Sequence, residues 1–150
     1  MPPARDLVYV GVQALLLVAL ALDVDVGWRP LRGWPILGWS LCATSAGFGL
    51  VALLQLGGAI TAWPTPRAAS NLVTTGVYGF ARHPIYAAII ATAAGLSIAT
   101  GSPWRGLIAL ALTPLFWRKA EYEERLLRAR YPGYADYARH TPRFGLFGRR

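Results

Sequence analysis

The feature that most constrains the fold is a stretch without any charged residue from position 33 to position 66. A soluble domain of 150 residues cannot bury an uninterrupted run of this length in its core. About 20 apolar residues in a helix cross the hydrocarbon part of a bilayer, so the run is long enough with margin for tilt. The sequence therefore predicts an integral membrane protein, a class that also suits a composition of 55% apolar and 15% charged residues.

Four apolar runs are predicted to be membrane-spanning helices: residues 7–22, 35–60, 84–101 and 104–117. The first run also resembles a secretory signal peptide, because Arg5 precedes it and Ala19-Leu20-Ala21 lies near its end. Gly101-Ser102-Pro103 is a turn signal, so the last two runs are predicted to form a tight helical hairpin. We therefore predict one all-α domain over residues 1–150, a polytopic membrane protein with about four transmembrane helices.

The C-terminal part of the chain is predicted to lie in water or along the membrane surface. After Trp117 the sequence becomes charged and rich in helix formers, and Pro132-Gly133 then stops the pattern. We predict that residues 118–150 are a cytoplasmic tail that begins with an amphipathic helix, followed by a short turn at residues 134–137. The lone cysteine, Cys42, excludes an intrachain disulfide and a multi-cysteine metal site, and no metal site is predicted.

The formal net charge of +8 is explained by the membrane and needs no nucleic acid as partner. With four spans, the basic segment 67–83 and the basic tail fall on the same side. Positive residues favour the cytoplasmic side, so both termini are predicted to be cytoplasmic, in an inner or plasma membrane, with contacts to membrane lipids. No nucleic-acid-binding motif is found in the sequence.

A polar junction at residues 76–86 carries most of the chemistry. It holds two glycines, two tyrosines, Arg82 and His83, and Pro84 suits the first turn of the helix that follows. Because the helical hairpin leaves one membrane face and returns to it, the junction and the acidic start of the tail can meet. Their combined polar residues are Tyr78, Arg82, His83, Tyr86, Glu121, Glu123, Glu124, Tyr131, Tyr134, Tyr137, Arg139, His140 and Arg143.

This set suits a zwitterionic cofactor that carries an aromatic base. Carboxylates hold ribose hydroxyls or an ammonium group, arginine holds a carboxylate with two hydrogen bonds, and tyrosines flank an adenine or a sulfonium. Simpler interpretations remain open. Arg82 and His83 can serve as an interfacial anchor, the glutamates can pair with neighbouring cations at helical spacing, and the tyrosines can belong to an interfacial belt.

Two ordered blocks of this sequence resemble the isoprenylcysteine carboxyl methyltransferase and phospholipid methyltransferase family of membrane enzymes. The first runs from residue 72 to residue 78 and leads into Arg82-His83-Pro84-Ile85-Tyr86. The second comprises Glu123-Glu124, Leu127, Tyr131, Tyr134, Tyr137 and Pro142. The resemblance covers residues 67–143. It departs from the family pattern at His140, where an arginine is usual, and at Gly145-Leu146-Phe147, which replaces a closing proline.

The resemblance implies methyl transfer from S-adenosylmethionine to a lipophilic acceptor that enters from the bilayer, with a carboxylate or an aminolipid as acceptor. The residues implied at the cofactor are Tyr78, Arg82, His83, Pro84, Tyr86, Glu123, Glu124 and Tyr137. For a carboxylate acceptor, Arg139, Arg143 or a protonated His140 is expected to hold the charge. For an amine, Glu124, Glu123 or His83 is expected to take the proton.

Two other functions remain open at this stage. A membrane reductase that uses a nicotinamide nucleotide is one, since sterol reductases resemble the C-terminal architecture, although the sequence has no Gly-rich dinucleotide fingerprint. A small membrane subunit without enzyme activity is the other. The sequence does not identify the acceptor or an oligomeric state.

Overall fold

The computed structural model describes residues 3–22, 24, 34–57 and 72–145. The regular structure within these ranges is helical throughout: α1 (Ala4–Ala21), α2 (Trp34–Leu56), α3 (Val77–Phe80), α4 (Pro84–Thr100), α5 (Pro103–Arg130) and α6 (Tyr134–His140). No β-strand occurs in these described ranges. The predicted all-α fold is confirmed.

The four long helices pack in alternating directions, α2 against α4, α4 against α5, and α1 against α5. At one end of the bundle, the Trp104 indole N–H donates to the Ala19 carbonyl at 2.7 Å. At the other end, the Tyr9 hydroxyl lies 3.5 Å from the carbonyl oxygen of Arg118. This second end therefore contains the start of α1, the start of α4, the charged part of α5 and the end of α2.

The α2–α4 contact depends on small residues. A Cβ atom added to Gly95 would lie 2.8 Å from the Cys42 sulfur and 2.9 Å from the Gly38 carbonyl oxygen. Between the same helices, the Ser45 and Thr92 hydroxyls are hydrogen-bonded at 2.8 Å. Small residues and hydroxyl pairs let helices approach closely in lipid, where no hydrophobic effect drives them together. Cys42 is buried in this contact, as a small core residue should be.

The α4–α5 connection is the predicted tight hairpin. Gly101 ends α4 in the left-handed conformation at φ 68°, which glycine adopts without a Cβ penalty. The Ser102 hydroxyl then accepts from the Arg105 backbone N–H at 3.3 Å, and Pro103 occupies the first turn of α5. The hairpin returns the chain to the end at which α4 began.

Two helices, α1 and α2, are long and apolar enough to cross a membrane, and α4 is a shorter apolar helix of 17 residues. Four spans therefore stay a prediction. The 28 residues of α5 reach about 42 Å at 1.5 Å per residue, beyond a hydrocarbon core of about 30 Å. That the charged half of α5 extends out of the apolar layer agrees with this length and stays a prediction.

Helix boundaries differ from the prediction in three places. α1 begins three residues before the apolar run, at Ala4, and α2 ends at Leu56, with predicted residues 58–60 outside the described part. The turn expected at residues 134–137 is instead the short helix α6. Tyr134 and Ala138 lie one helical turn apart on its inner face, and both are buried. Tertiary packing therefore stabilises a helix that the sequence alone does not predict.

Candidate functional site

The two sequence blocks meet through backbone hydrogen bonds. α3 ends at Phe80, and the extended residue Ala81 leads to Arg82, whose backbone N–H donates to the Pro142 carbonyl at 3.0 Å. The His83 backbone N–H donates to the Arg143 carbonyl at 2.9 Å. The predicted meeting of the helix start with the tail is therefore confirmed, and it places the side chains of both segments around α5.

Glu124 is the centre of this arrangement. Arg82 donates to its Oε1 from Nε and Nη2, each at 3.1 Å. Arg143 donates from Nε to Oε1 at 2.9 Å and from Nη2 to Oε2 at 3.0 Å. The Arg82 Nη1 group donates to the carbonyls of Ala138 and Thr141. The side chains of Glu124 and Arg82 are each 4% exposed, so this carboxylate joins α4, α5 and the tail in a buried ion cluster.

His83 lies between two carboxylates. Its Nδ1 is 3.4 Å from Oε2 of Glu123, and its Nε2 is 3.3 Å from Oε1 of Glu124. Nε2 is buried, yet it is not aligned for a hydrogen bond with any described residue. Burial lowers the pKa of His83, but Glu123 and Glu124 raise it by more, so the net pKa lies above the ordinary value. The two carboxylates therefore favour the protonated form of His83.

The pKa of Glu124 moves the other way. Burial raises it, but the neighbouring His83, Arg143 and Arg82, two of which donate hydrogen bonds to the carboxylate, lower it to far below its usual range. Glu124 consequently stays ionised at any pH at which the protein is handled. Its negative charge is shared among three cationic partners.

Tyr86 connects His83 to Glu123. Its hydroxyl donates to Oε1 of Glu123, and its ring stacks on Phe116 at 4.5 Å and on the His83 imidazole at 5.5 Å. The Glu123 side chain is 15% exposed, against 4% for Glu124. Glu123 is therefore the more accessible of the two adjacent carboxylates.

An aromatic wall borders the ion cluster on the tail side. The Arg143 guanidinium lies 4.8 Å from the centre of the Trp117 ring, and Phe144 lies 5.7 Å from the same ring. Gly145 follows with φ 65°, and a Cβ atom there would collide with the ring of Phe80. The sequence interpretation missed Trp117 and Phe144. Trp117 lies two helical turns before Glu124, and this spacing is a signal that was available.

Four of the predicted residues support the site from behind. The Tyr78 hydroxyl lies 3.4 Å from the Ala52 carbonyl, and its own carbonyl accepts from the Tyr137 hydroxyl at 2.5 Å. Burial and the charge of Glu123 raise the pKa of Tyr78 to about 12, so it remains a neutral donor. Pro84 is buried at the start of α4. Tyr134 is 1% exposed, and its hydroxyl has no hydrogen-bond partner among the described residues.

Two predicted residues lie away from the cluster. Arg139 and His140 are on the outer face of α6, with side chains 73% and 74% exposed. Arg139 pairs with Asp136 at 2.7 Å, and the His140 ring contacts the Asp136 carbonyl at 3.0 Å. Glu121 likewise forms an exposed pair with Arg118 at 3.8 Å, the surface interpretation left open for the glutamates. In the described ranges, no group of three His, Cys, Asp or Glu residues could hold a metal ion.

The raised pKa of His83 predicts a pH dependence of stability. A base whose pKa is higher in the folded state stabilises the fold fully below its unfolded pKa, about 6.5, and this contribution is lost as pH rises through the folded value. Each unit of difference corresponds to about 1.4 kcal/mol. We expect the thermal midpoint in detergent to fall from pH 6 towards alkaline pH. The variant His83→Gln should flatten this profile, whereas His140→Gln should leave it unchanged; a wild-type midpoint that is flat or rises would contradict the assignment.

Comparison with known proteins gives three kinds of match. A family model described as phospholipid methyltransferase matches residues 34–133. The nickel-cobalt-cadmium resistance protein NccN of Alcaligenes xylosoxydans xylosoxydans is 37% identical over 79 residues, 52% of this chain and 37% of that protein. The cobalt-zinc-cadmium resistance protein CzcN of Cupriavidus metallidurans is 36% identical over 76 residues, 50% of this chain and 35% of that protein. The matched segments thus cover little more than a third of these relatives.

A solved structure shares the fold. The eukaryotic intramembrane Ras methyltransferase ICMT, an isoprenylcysteine carboxyl methyltransferase, superposes with a TM-score of 0.72 and 21% sequence identity. The superposition covers 95% of this chain and 50% of that one, so the chain spans about half the length of that enzyme. The family match begins after α1. The structural match covers nearly the whole chain and therefore extends into α1.

Proposed function

The chain belongs to the phospholipid methyltransferase family, and from that premise we propose that it transfers a methyl group from S-adenosylmethionine to a lipophilic acceptor at the cytoplasmic membrane face. Family and fold together support a membrane methyltransferase. The observation that carries the proposal is the buried cluster in which Arg82 and His83 meet Glu123 and Glu124 at one end of the bundle.

The residues present fit such a cofactor. S-adenosylmethionine carries an adenine, a ribose, an ammonium, a carboxylate and a sulfonium. The site offers side chains of both charges to its charged groups and aromatic rings to its adenine and sulfonium. Two buried polar atoms, His83 Nε2 and the Tyr134 hydroxyl, lack a hydrogen bond within the described part of the chain, which is unusual unless a ligand or water completes them. Glu123 is partly accessible, and Trp117 and Phe144 offer aromatic faces to a cation.

When bound, the cofactor supplies an electrophilic methyl group, so the protein has to align the acceptor and exclude water. We assign His83, Tyr86 and Glu123 to holding the cofactor, with Glu123 facing its cationic groups. Glu124 is a poor proton acceptor because its pKa is so low, and we assign it to holding Arg82 and Arg143 in place. The aromatic residues Trp117 and Phe144 limit the access of water from the tail side.

The acceptor chemistry follows from the same geometry. Arg143 borders the cluster, whereas Arg139 and His140 lie on the outer surface, so Arg143 is the residue we propose to hold a carboxylate acceptor. For an amine acceptor, Glu123 is the proposed base, because the strongly lowered pKa of Glu124 makes it a weak base and the raised pKa of His83 favours its protonated form. In either case the acceptor reaches the site laterally from the bilayer.

The proposed orientation rests on charge. The arginines of the charged part of α5 lie at the same end of the bundle as the ion cluster, and positive residues favour the cytoplasmic side of a membrane. With four crossings, the start of α1 and the C-terminal tail lie on that same side. We therefore propose that the site opens at the cytoplasmic face of an inner or plasma membrane.

Binding of S-adenosylhomocysteine to detergent-purified protein tests the proposed function by calorimetry. We expect saturable binding that His83→Ala and Glu123→Gln each weaken by about tenfold, equivalent to about 1.4 kcal/mol. Arg118→Met, a change at a 75% exposed side chain, is the matched control and should bind as the wild type does. An absence of saturable heat in the wild type, with oxidation of reduced nicotinamide in its place, would favour the reductase alternative. Mass spectrometry of lipid extracts incubated with methyl-labelled cofactor then identifies the acceptor.

A further inference from the structure

A buried lysine lies next to the proposed cofactor site. Lys119 is one helical turn before Glu123 in α5, and it is 1% exposed. Its Nζ donates to Oε1 of Gln13 in α1 at 2.7 Å and lies 5.2 Å from the centre of the Tyr86 ring in α4. Burial of an ammonium group is costly unless it is paired, so these contacts indicate a specific role and not an incidental position.

The charges of two carboxylates, on different helices, act on Lys119. Glu123 belongs to the proposed site, and Asp6 is fully buried in the first turn of α1. Burial lowers the pKa of Lys119, and the charges of Glu123 and Asp6 offset part of that effect. Lys119 is therefore a cation held between the site and α1.

The contacts of Lys119 continue directly into the site. The Tyr86 ring next to its ammonium group also lies parallel to the His83 imidazole, at an interplanar angle of 4°. The Tyr86 hydroxyl donates to Glu123, which in turn lies 3.4 Å from His83. A shift of the Tyr86 ring would therefore move two residues of the proposed cofactor site.

The helix that fixes Lys119 lies outside the family match. Gln13 belongs to α1, whereas the match begins at residue 34. α1 packs along α5 and holds it at both ends, through Tyr9 at the site end and through Ala19 at the other. The contact between Gln13 and Lys119 therefore comes from a helix that the family match does not include.

We propose that Lys119 is a positioning residue for methyl transfer: fixed by Gln13 of α1, its ammonium group keeps the Tyr86–Glu123 pair oriented towards the cofactor. This inference rests on the proposed function. It assigns α1 a part in the site, in addition to its part in the helical bundle. A purely structural role, in which Lys119 only docks α1 onto α5, makes a different prediction.

The test compares Lys119→Met, Gln13→Leu, the double variant and the control Arg118→Met, the exposed neighbour in sequence. For each, calorimetry measures the dissociation constant for S-adenosylhomocysteine, and the thermal midpoint is measured on the same preparation. We expect Lys119→Met to weaken binding about tenfold and Gln13→Leu about threefold, as for coupled residues. The double variant should bind no more weakly than Lys119→Met, because Gln13 acts through Lys119.

A structural role alone would lower the thermal midpoint and leave the dissociation constant of the folded protein unchanged, and this result would overturn the proposal. If Lys119→Met does not fold, unchanged affinity in Gln13→Leu, which retains the lysine, overturns it equally. Wild-type protein that does not bind S-adenosylhomocysteine would overturn the proposed function itself. Wild-type binding that both variants retain would instead overturn only the role proposed for Lys119.

Discussion

Replacing Glu124 by alanine should cost the fold about 3–5 kcal/mol, the typical penalty for removing one partner of a buried ion cluster. The change leaves the guanidinium of Arg82, at 4% exposure, and that of Arg143, at 15%, without their shared carboxylate. It also removes one of the two carboxylates that face His83. A chain of this size has few kcal/mol to lose, so we expect a large drop of the thermal midpoint in detergent and a smaller folded fraction.

Glu121→Ala is the matched control for this experiment. Glu121 lies on the same helix, but its partner Arg118 is 75% exposed and the pair is 3.8 Å apart. Exposed pairs of this kind contribute about 0–1 kcal/mol, so the midpoint of this variant should stay close to that of the wild type. Equal losses in the two variants would show that the cluster does not stabilise the fold. Glu124→Gln should fall between them, since the amide keeps one acceptor oxygen.

The contrast between these two glutamates shows how far the sequence leads. Both stand in a charged helix with cations at helical spacing, Arg118 and Arg125 for Glu121 and Arg128 for Glu124, so the sequence offers each a local pair. Glu121 does pair locally, whereas Glu124 turns to Arg82 and Arg143, 42 and 19 positions away. The family resemblance and the predicted hairpin indicated that the two segments meet, which the structure confirms, but they did not indicate that Glu124 pairs with these two arginines.

Residues that depend on a neighbouring helix could not be found in this way. Lys119 has the sequence context of a surface cation, and its burial follows from the packing of α1 against α5. Trp117 fits an interfacial belt equally well until its contacts with Arg143 and Phe144 are seen. The sequence predicts a turn at residues 134–137, where the structure has the helix α6, whose stability comes from the buried Tyr134 and Ala138. Apolar runs and motifs predict the elements, while pairing between elements decides burial.

Replacing Gly38 by valine should be at least as damaging as the loss of Glu124, although Gly38 lies at the other end of the bundle. A Cβ atom there would lie 2.5 Å from the Ala99 Cα and 2.6 Å from the Gly95 carbonyl oxygen, both backbone atoms that no rotamer change can move. α2 and α4 would have to separate, which would also break the hydrogen bond between Ser45 and Thr92. We expect a loss of about 3 kcal/mol or more, at the upper end for overpacked sites.

Gly47 provides the control, because it lies in the same helix and a Cβ atom there would meet nothing within 4 Å. Both variants replace a glycine of α2 by valine, so the change in helix propensity and the added apolar atoms are the same. They differ because α4 packs against Gly38 and not against Gly47. Thermal midpoints and size-exclusion profiles in one detergent should show Gly47→Val close to the wild type and Gly38→Val largely unfolded or aggregated. Equal midpoints would mean that α2 and α4 do not pack as closely as the structure shows. Since His83 directly precedes α4, the position of the ion cluster depends on that packing.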